Sequence, residues 1–124
     1  MDQIKMVKIL ILEDDKNRID VFKKNLDGIE DIYITDYANQ AISWLESIEF
    51  DYIFLDHDLG GLQMEWDEEN CGMTVAKYLN KHPQRKANVI IHSLNTPRAK
   101  EMEHLIEGSQ HIPFVWNLIK LDRN

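Results

Sequence analysis

The sequence predicts an α/β fold: one doubly wound, five-stranded parallel sheet with helices on both faces. Two observations predict it. Short apolar, β-branched runs alternate with stretches of helical period along the whole chain, the pattern of a sheet covered on both faces. No linker, repeat or low-complexity segment divides the 124 residues, so a single domain spanning 1–124 is expected.

Residues 6–12 (MVKILIL) read as a buried strand that stops where Glu13, Asp14 and Asp15 begin. From Lys16 the period becomes helical, with Ile19, Phe22 and Leu26 on one stripe and Gly28 as a stop. Residues 31–36 alternate as a second strand. Ala38, Ala41, Ile42, Leu45 and Ile48 mark a second helix. Residues 51–56 (DYIFLD) form a third strand, again ending in a carboxylate, and a long polar stretch, 57–70, follows.

A third helix is expected over 72–81, closed by Pro83, and a fourth strand over 87–93 (ANVIIHS). Thr96 as N-cap and Pro97 at the first helical position open a fourth helix, which Gly108 ends. Residues 112–116 are expected as the fifth strand, leaving a fifth helix reduced or absent. With right-handed crossovers, the favoured strand order is the flavodoxin-like 2-1-3-4-5.

Composition excludes several classes. A content of 44% hydrophobic and 29% charged residues is that of a folded globular domain. No apolar run approaches the ~20 residues of a membrane span, so no membrane insertion is expected. A net charge of −8 offers no basic face for duplex nucleic acid. Residues 1–6 lack signal-peptide regions, and the one cysteine, Cys71, forms no internal disulfide. A cytoplasmic protein is expected.

In open sheets of this order, ligands sit beyond the carboxyl ends of the strands, near the first and third. The polar residues collect there: Glu13, Asp14 and Asp15 after strand one, Asp56, His57 and Asp58 after strand three, and His92, Ser93 and Asn95 after strand four. Carboxylates crowded at one edge repel one another unless a cation joins them, and oxygen ligands with room for water suit Mg²⁺ or Mn²⁺. At least one of the first three acids is expected to cap helix one instead.

The chain resembles the response-regulator receiver domain in its ILEDD after strand one, Asp56 ending strand three and Ser93 ending strand four. The resemblance implies that Glu13 or Asp14 binds Mg²⁺ together with Asp56, that Asp56 accepts a phosphoryl group, and that Ser93 contacts it. Where receivers carry a lysine at the end of strand five, this chain has Trp116 or Asn117, and the 14-residue stretch 57–70 is longer than a receiver's loop.

The same segments resemble a narrower family more closely: the receiver-like domains of cyclic-phosphate processing. EDDKNR at 13–18, LDHDLGG at 55–61 and IIHSLN at 90–95 carry that likeness. It implies a domain that binds and hydrolyses a cyclic phosphate, one derived from a nucleotide, with help from a divalent metal. Opening such a ring needs a base, an acid and positive charge on the phosphoryl oxygens. His57 and His92, with Asp56, supply acid–base groups, because imidazole titrates between about pH 5 and 8.

Arg18, Ser93 and Asn95 are candidate phosphate or ligand contacts. Glu13, Asp14, Asp56 and Asp58 are candidate metal ligands, Asp58 reading equally well as the partner that orients a histidine. Strict alternation sends His92 and Ser93 to opposite faces, so His92 also reads as a core histidine if Ser93 faces the ligand. His82, His104 and His111 read as surface residues. Met64 and Trp66 read either as a lid or as packing for helix three, and Cys71 shows no histidine partner in the sequence. Two alternatives stand beside hydrolysis: a divergent response-regulator receiver phosphorylated on Asp56, and a non-catalytic module that binds a phosphate ligand. A protein partner is expected at the strand-five face.

Overall fold

The computed structural model describes residues 7–59 and 70–112. In chain order the elements are β1 (Lys8–Leu12), α1 (Lys16–Asn25), β2 (Asp31–Thr35), α2 (Ala38–Ser47), β3 (Tyr52–Leu55), α3 (Gly72–Lys81), β4 (Asn88–Ile91), α4 (Thr96–Leu105) and β5 (Gln110–His111). The sheet order is β2-β1-β3-β4-β5, and every pairing is parallel. The predicted flavodoxin-like, receiver-like arrangement is the one observed.

The register is what positions the site. Leu12 lies opposite Leu55, and Leu55 opposite Ile91. The three strands β1, β3 and β4 therefore end level. Backbone bonding continues one step beyond them, with Asp56 N–H donating to the Leu12 carbonyl (3.1 Å) and His92 N–H to the Leu55 carbonyl (2.9 Å).

Alternation divides the core in two. Leu10, Leu12, Ile53, Leu55, Val89 and Ile91 face α2, α3 and α4 in the larger core. Ile9, Ile11 and Phe54 face the other way and pack with Phe22 and Leu26 of the α1 segment; Ile90 lies against this second cluster. Among the described residues, no helix is long and apolar enough to cross a membrane.

Side-chain caps close α1 and α4, while the N-caps of α2 and α3, Tyr37 and Cys71, make no side-chain cap hydrogen bond. Asp15 caps α1, its carboxylate accepting from the Asn17 and Arg18 N–H groups (2.9 and 3.0 Å), as one of the three acids was expected to do. Tyr37, at the start of α2, has no oxygen placed to cap it. Asn70 supplies the missing acceptor from 32 residues away, taking the Ala38 N–H at 2.8 Å.

Three sequence expectations need correction. The N-cap of α4 is Asn95, with Thr96 already helical, because the Asn95 carboxamide oxygen accepts from Arg98 N–H (3.4 Å). Strand β5 begins at Gln110, earlier than expected. His111, expected on the surface, is half-buried in it, with its ring 3.0 Å from the Ser93 carbonyl. The rest of the expected fifth strand (113–116), the fifth helix, Gly60, Gly61, Met64 and Trp66 lie outside the described residues.

Candidate functional site

Glu13, Asp56 and His92 each stand one residue beyond the level ends of β1, β3 and β4. Because Ile11, Phe54 and Ile90 face α1 two positions earlier, period-2 alternation turns all three polar side chains to that same side. Their ligand atoms lie within 4.8 Å of one another, and the residues are 0%, 3% and 0% exposed.

Glu13 Oε1 meets His92 Nε2 at 2.7 Å, while Oε2 accepts the Asp14 and Asp15 N–H groups (3.1 and 3.0 Å). Asp56 Oδ1 accepts the His57 N–H at 2.9 Å. The Arg18 guanidinium, reaching in from α1, lies 3.6 Å from Glu13 Oε1 and 3.5 Å from Asp56 Oδ2. The Phe22 ring meets the His92 imidazole edge-on, with centroids 5.2 Å apart.

These contacts separate the two carboxyl groups electrostatically. Burial drives the Glu13 pKa upward, but the His92 hydrogen bond and charge, the Asp15 backbone N–H and the Arg18 charge outweigh it and hold Glu13 below its usual range. Asp56 goes the other way. Burial, reinforced by the negative charge of Glu13, pushes it up to about 6 against the pull of His92, Arg18 and the His57 N–H. One carboxyl stays ionised, and its neighbour exchanges a proton close to neutrality.

A second polar network lies on the α3–α4 side. His57, one step past Asp56, is 1% exposed, and its Nδ1 sits 2.6 Å from Asp58 Oδ1. The ring also shares a hydrogen bond with the Cys71 thiol, at the cap of α3. Burial alone would lower the His57 pKa, but the Cys71 and Asp58 contacts raise it. Burial alone would raise Cys71, but His57 and the Met73 and Thr74 N–H groups lower it. Asn95 Nδ2 donates to both Asp58 oxygens (3.2 and 3.4 Å), and Ser93 Oγ accepts the Asn95 N–H at 3.0 Å.

Thus the structure assembles Glu13, Asp56, His92 and Arg18 in one cluster and His57, Asp58, Ser93 and Asn95 around another. Asp14, half-buried, is not in the three-residue donor group among the described residues, and neither is Asp58. Cys71 does have a histidine partner. Fourteen positions separate it from His57, and only the packing of α3 against the end of β3 closes that gap. The signal available in the sequence was its place just before a helix start.

The family model for the cyclic-phosphate processing receiver domain matches residues 8–108. The chain belongs to that family. Its fold is that of response-regulator receivers. It is similar to the response regulator TrrA from Thermotoga maritima, solved in complex with Mg²⁺ and BeF, with TM-score 0.69 and 20% identity, covering 92% of this chain and 91% of that one. A receiver domain from Rhodospirillum rubrum gives TM-score 0.65 at 18% identity, covering 88% and 82%. A complex of the histidine kinase ThkA with TrrA gives 0.66 at 20% identity, covering 91% and 90%. Comparison with curated proteins gives no match.

Proposed function

We propose that this receiver-family domain binds a small cyclic phosphate, one derived from a nucleotide, at the carboxyl edge of its sheet and hydrolyses it with a divalent ion. The observation that carries this reading is the single cluster of Glu13, Asp56, His92 and Arg18 at the level ends of three strands. Its two carboxylates, Glu13 and Asp56, fit a divalent ion, Mg²⁺ or Mn²⁺, and leave the imidazole for proton transfer. Such an ion supplies positive charge to the phosphoryl oxygens.

Ring opening requires a water oxygen to bond to phosphorus while one ring P–O bond breaks; a proton leaves the water and another reaches the freed alkoxide. His92, oriented by Glu13, suits the base. Asp56, as a ligand of the ion, stays a carboxylate, so the proton that reaches the alkoxide comes from solvent. Arg18 holds a phosphoryl oxygen through its guanidinium N–H groups. His57, whose Nδ1 is committed to Asp58, acts through the ring orientation that Asp58 and Cys71 fix, and Ser93 and Asn95 bound the ligand on that side. A protein partner at the edge strand β5, just past which Ile112 is 49% exposed, and a cytoplasmic setting complete the reading.

The test is incubation with 2′,3′-cyclic and 3′,5′-cyclic nucleotides plus Mg²⁺ or Mn²⁺, with products read by mass. The His92→Ala and His57→Ala variants and a parallel incubation with acetyl phosphate run beside it. Expected is metal-dependent ring opening, lost in His92→Ala and reduced in His57→Ala. An acid-labile adduct on Asp56 with no ring opening overturns hydrolysis in favour of a phosphoacceptor. Ligand binding without turnover leaves a binding module.

A further inference from the structure

We propose that Cys71 is a site of oxidative modification: His57 and Asp58 prepare its sulfur to attack a small peroxide, which converts the thiol to a sulfenic acid. The reaction needs neither a divalent ion nor a cyclic phosphate, so it stands or falls apart from the function proposed above.

Three side chains are linked in succession. The His57 ring shares a hydrogen bond with the Cys71 thiol, and its Nδ1 lies 2.6 Å from Asp58 Oδ1. Nε2 is the ring nitrogen left for the sulfur. Asp58 is held in turn by Asn95 Nδ2, at 3.2 and 3.4 Å from its two oxygens. A nucleophile, a base and a group that orients the base, hydrogen-bonded in that order, are the arrangement that activates a cysteine.

The backbone fixes the thiol beside the ring. Gly72 N–H donates to the His57 carbonyl at 2.9 Å, and the Gly72 Cα is pressed so close to the Asp56 carbonyl that no side chain fits between them. The residue just before Gly72 therefore has one place to stand. Cys71 is also the N-cap of the ten-residue helix α3. It makes no cap hydrogen bond there, yet the Met73 and Thr74 N–H groups carry partial positive charge and favour a negative sulfur.

The sulfur lone pair bonds to one peroxide oxygen as the O–O bond breaks. The thiol proton passes through the His57 ring to the departing oxygen, which leaves as water. Sulfur gives up an electron pair and the peroxide takes it, so the product is a sulfenic acid. Size decides the oxidant. Cys71 is 2% exposed, which admits hydrogen peroxide, little larger than water, and shuts out a bulky reagent. The same burial keeps other thiols away, and the chain has no second cysteine to condense with the product.

The test treats the intact chain with hydrogen peroxide, folded and in urea. Dimedone added after unfolding traps the sulfenic acid, and its adduct is read by mass on the peptide that contains Cys71. A maleimide is run in parallel. Expected is sulfenic acid formation about tenfold faster in the folded chain than in the unfolded one, with maleimide labelling slower in the folded chain. That comparison needs no variant. His57→Gln and Asp58→Asn, checked for folding by circular dichroism, should each slow the peroxide reaction by about tenfold.

A thiol that is merely buried reacts more slowly when folded, with peroxide as with maleimide, and that result would overturn the proposal. A folded His57→Gln chain oxidised as quickly as wild type would overturn it too. Equal maleimide labelling of folded and unfolded chains would remove the selection by size.

Discussion

Burial and the Glu13 charge both disfavour the ionised form of Asp56. Its ordinary value of 3.8 rises to about 6 on folding. Between about pH 4 and pH 6 the folded chain therefore holds more protons than the unfolded one, and this group's contribution to stability falls as pH rises through that window. Asp56→Asn removes the titration. Relative to wild type, the variant should gain roughly 1–3 kcal/mol on going from pH 4 to pH 7, measured as the difference in urea unfolding free energies. An unchanged difference would mean that Asp56 ionises in the fold as freely as in water. At this scale the residue types were legible in the sequence, and their grouping was only partly so. Alternation correctly separated His92 from Ser93. The choice of which face carries the ion chemistry required knowing that β1, β3 and β4 end level, and register between distant strands is not written in any one of them.

Helix α3 begins so close to the end of β3 that its first residue admits no side chain. A Cβ added to Gly72 would stand 2.1 Å from the Asp56 carbonyl oxygen and 2.8 Å from Met102 Cε. The methionine end can move aside; the backbone oxygen cannot, because Gly72 N–H also donates to the His57 carbonyl at 2.9 Å. Gly72→Ala should therefore lower stability by about 1–3 kcal/mol or more, despite alanine's better helix propensity, and thermal unfolding checks it. An unchanged or raised melting temperature would show that α3 can slide away without cost. The helices and the first four strands were legible because each carries its own period and stop signals, such as Gly28, which takes φ +92°. The ends that depended on distant partners were not. Asn70 capping α2 and the early start of β5, where His111 N–H bonds to Glu103 Oε2 at 3.0 Å, are tertiary facts.

Among the described residues, the sheet edge separates two polar networks that meet through the consecutive pairs Asp56–His57 and His92–Ser93. On the α1 side, Glu13, Asp56, His92 and Arg18 share a cation and a proton. On the α3–α4 side, Cys71, His57, Asp58 and Asn95 form a chain of hydrogen bonds that ties the start of α3 to the cap of α4. Groups within one network share partners, so their energies should not add, whereas groups on opposite sides should be nearly independent. A double-mutant cycle of Cys71→Ala with Asp58→Ala, both contacts of the His57 ring, should give a coupling of about 0.5–3 kcal/mol in urea unfolding. The cross-sheet cycle of Cys71→Ala with Arg18→Gln should add to within about 0.5 kcal/mol. If the cross-sheet coupling proves as large as the other, the two networks are one cooperative unit. A ligand held by Arg18 would then be felt at the caps of α3 and α4. Near-zero coupling instead confines ligand and metal effects to the α1 side, leaving the His57 network to set geometry alone.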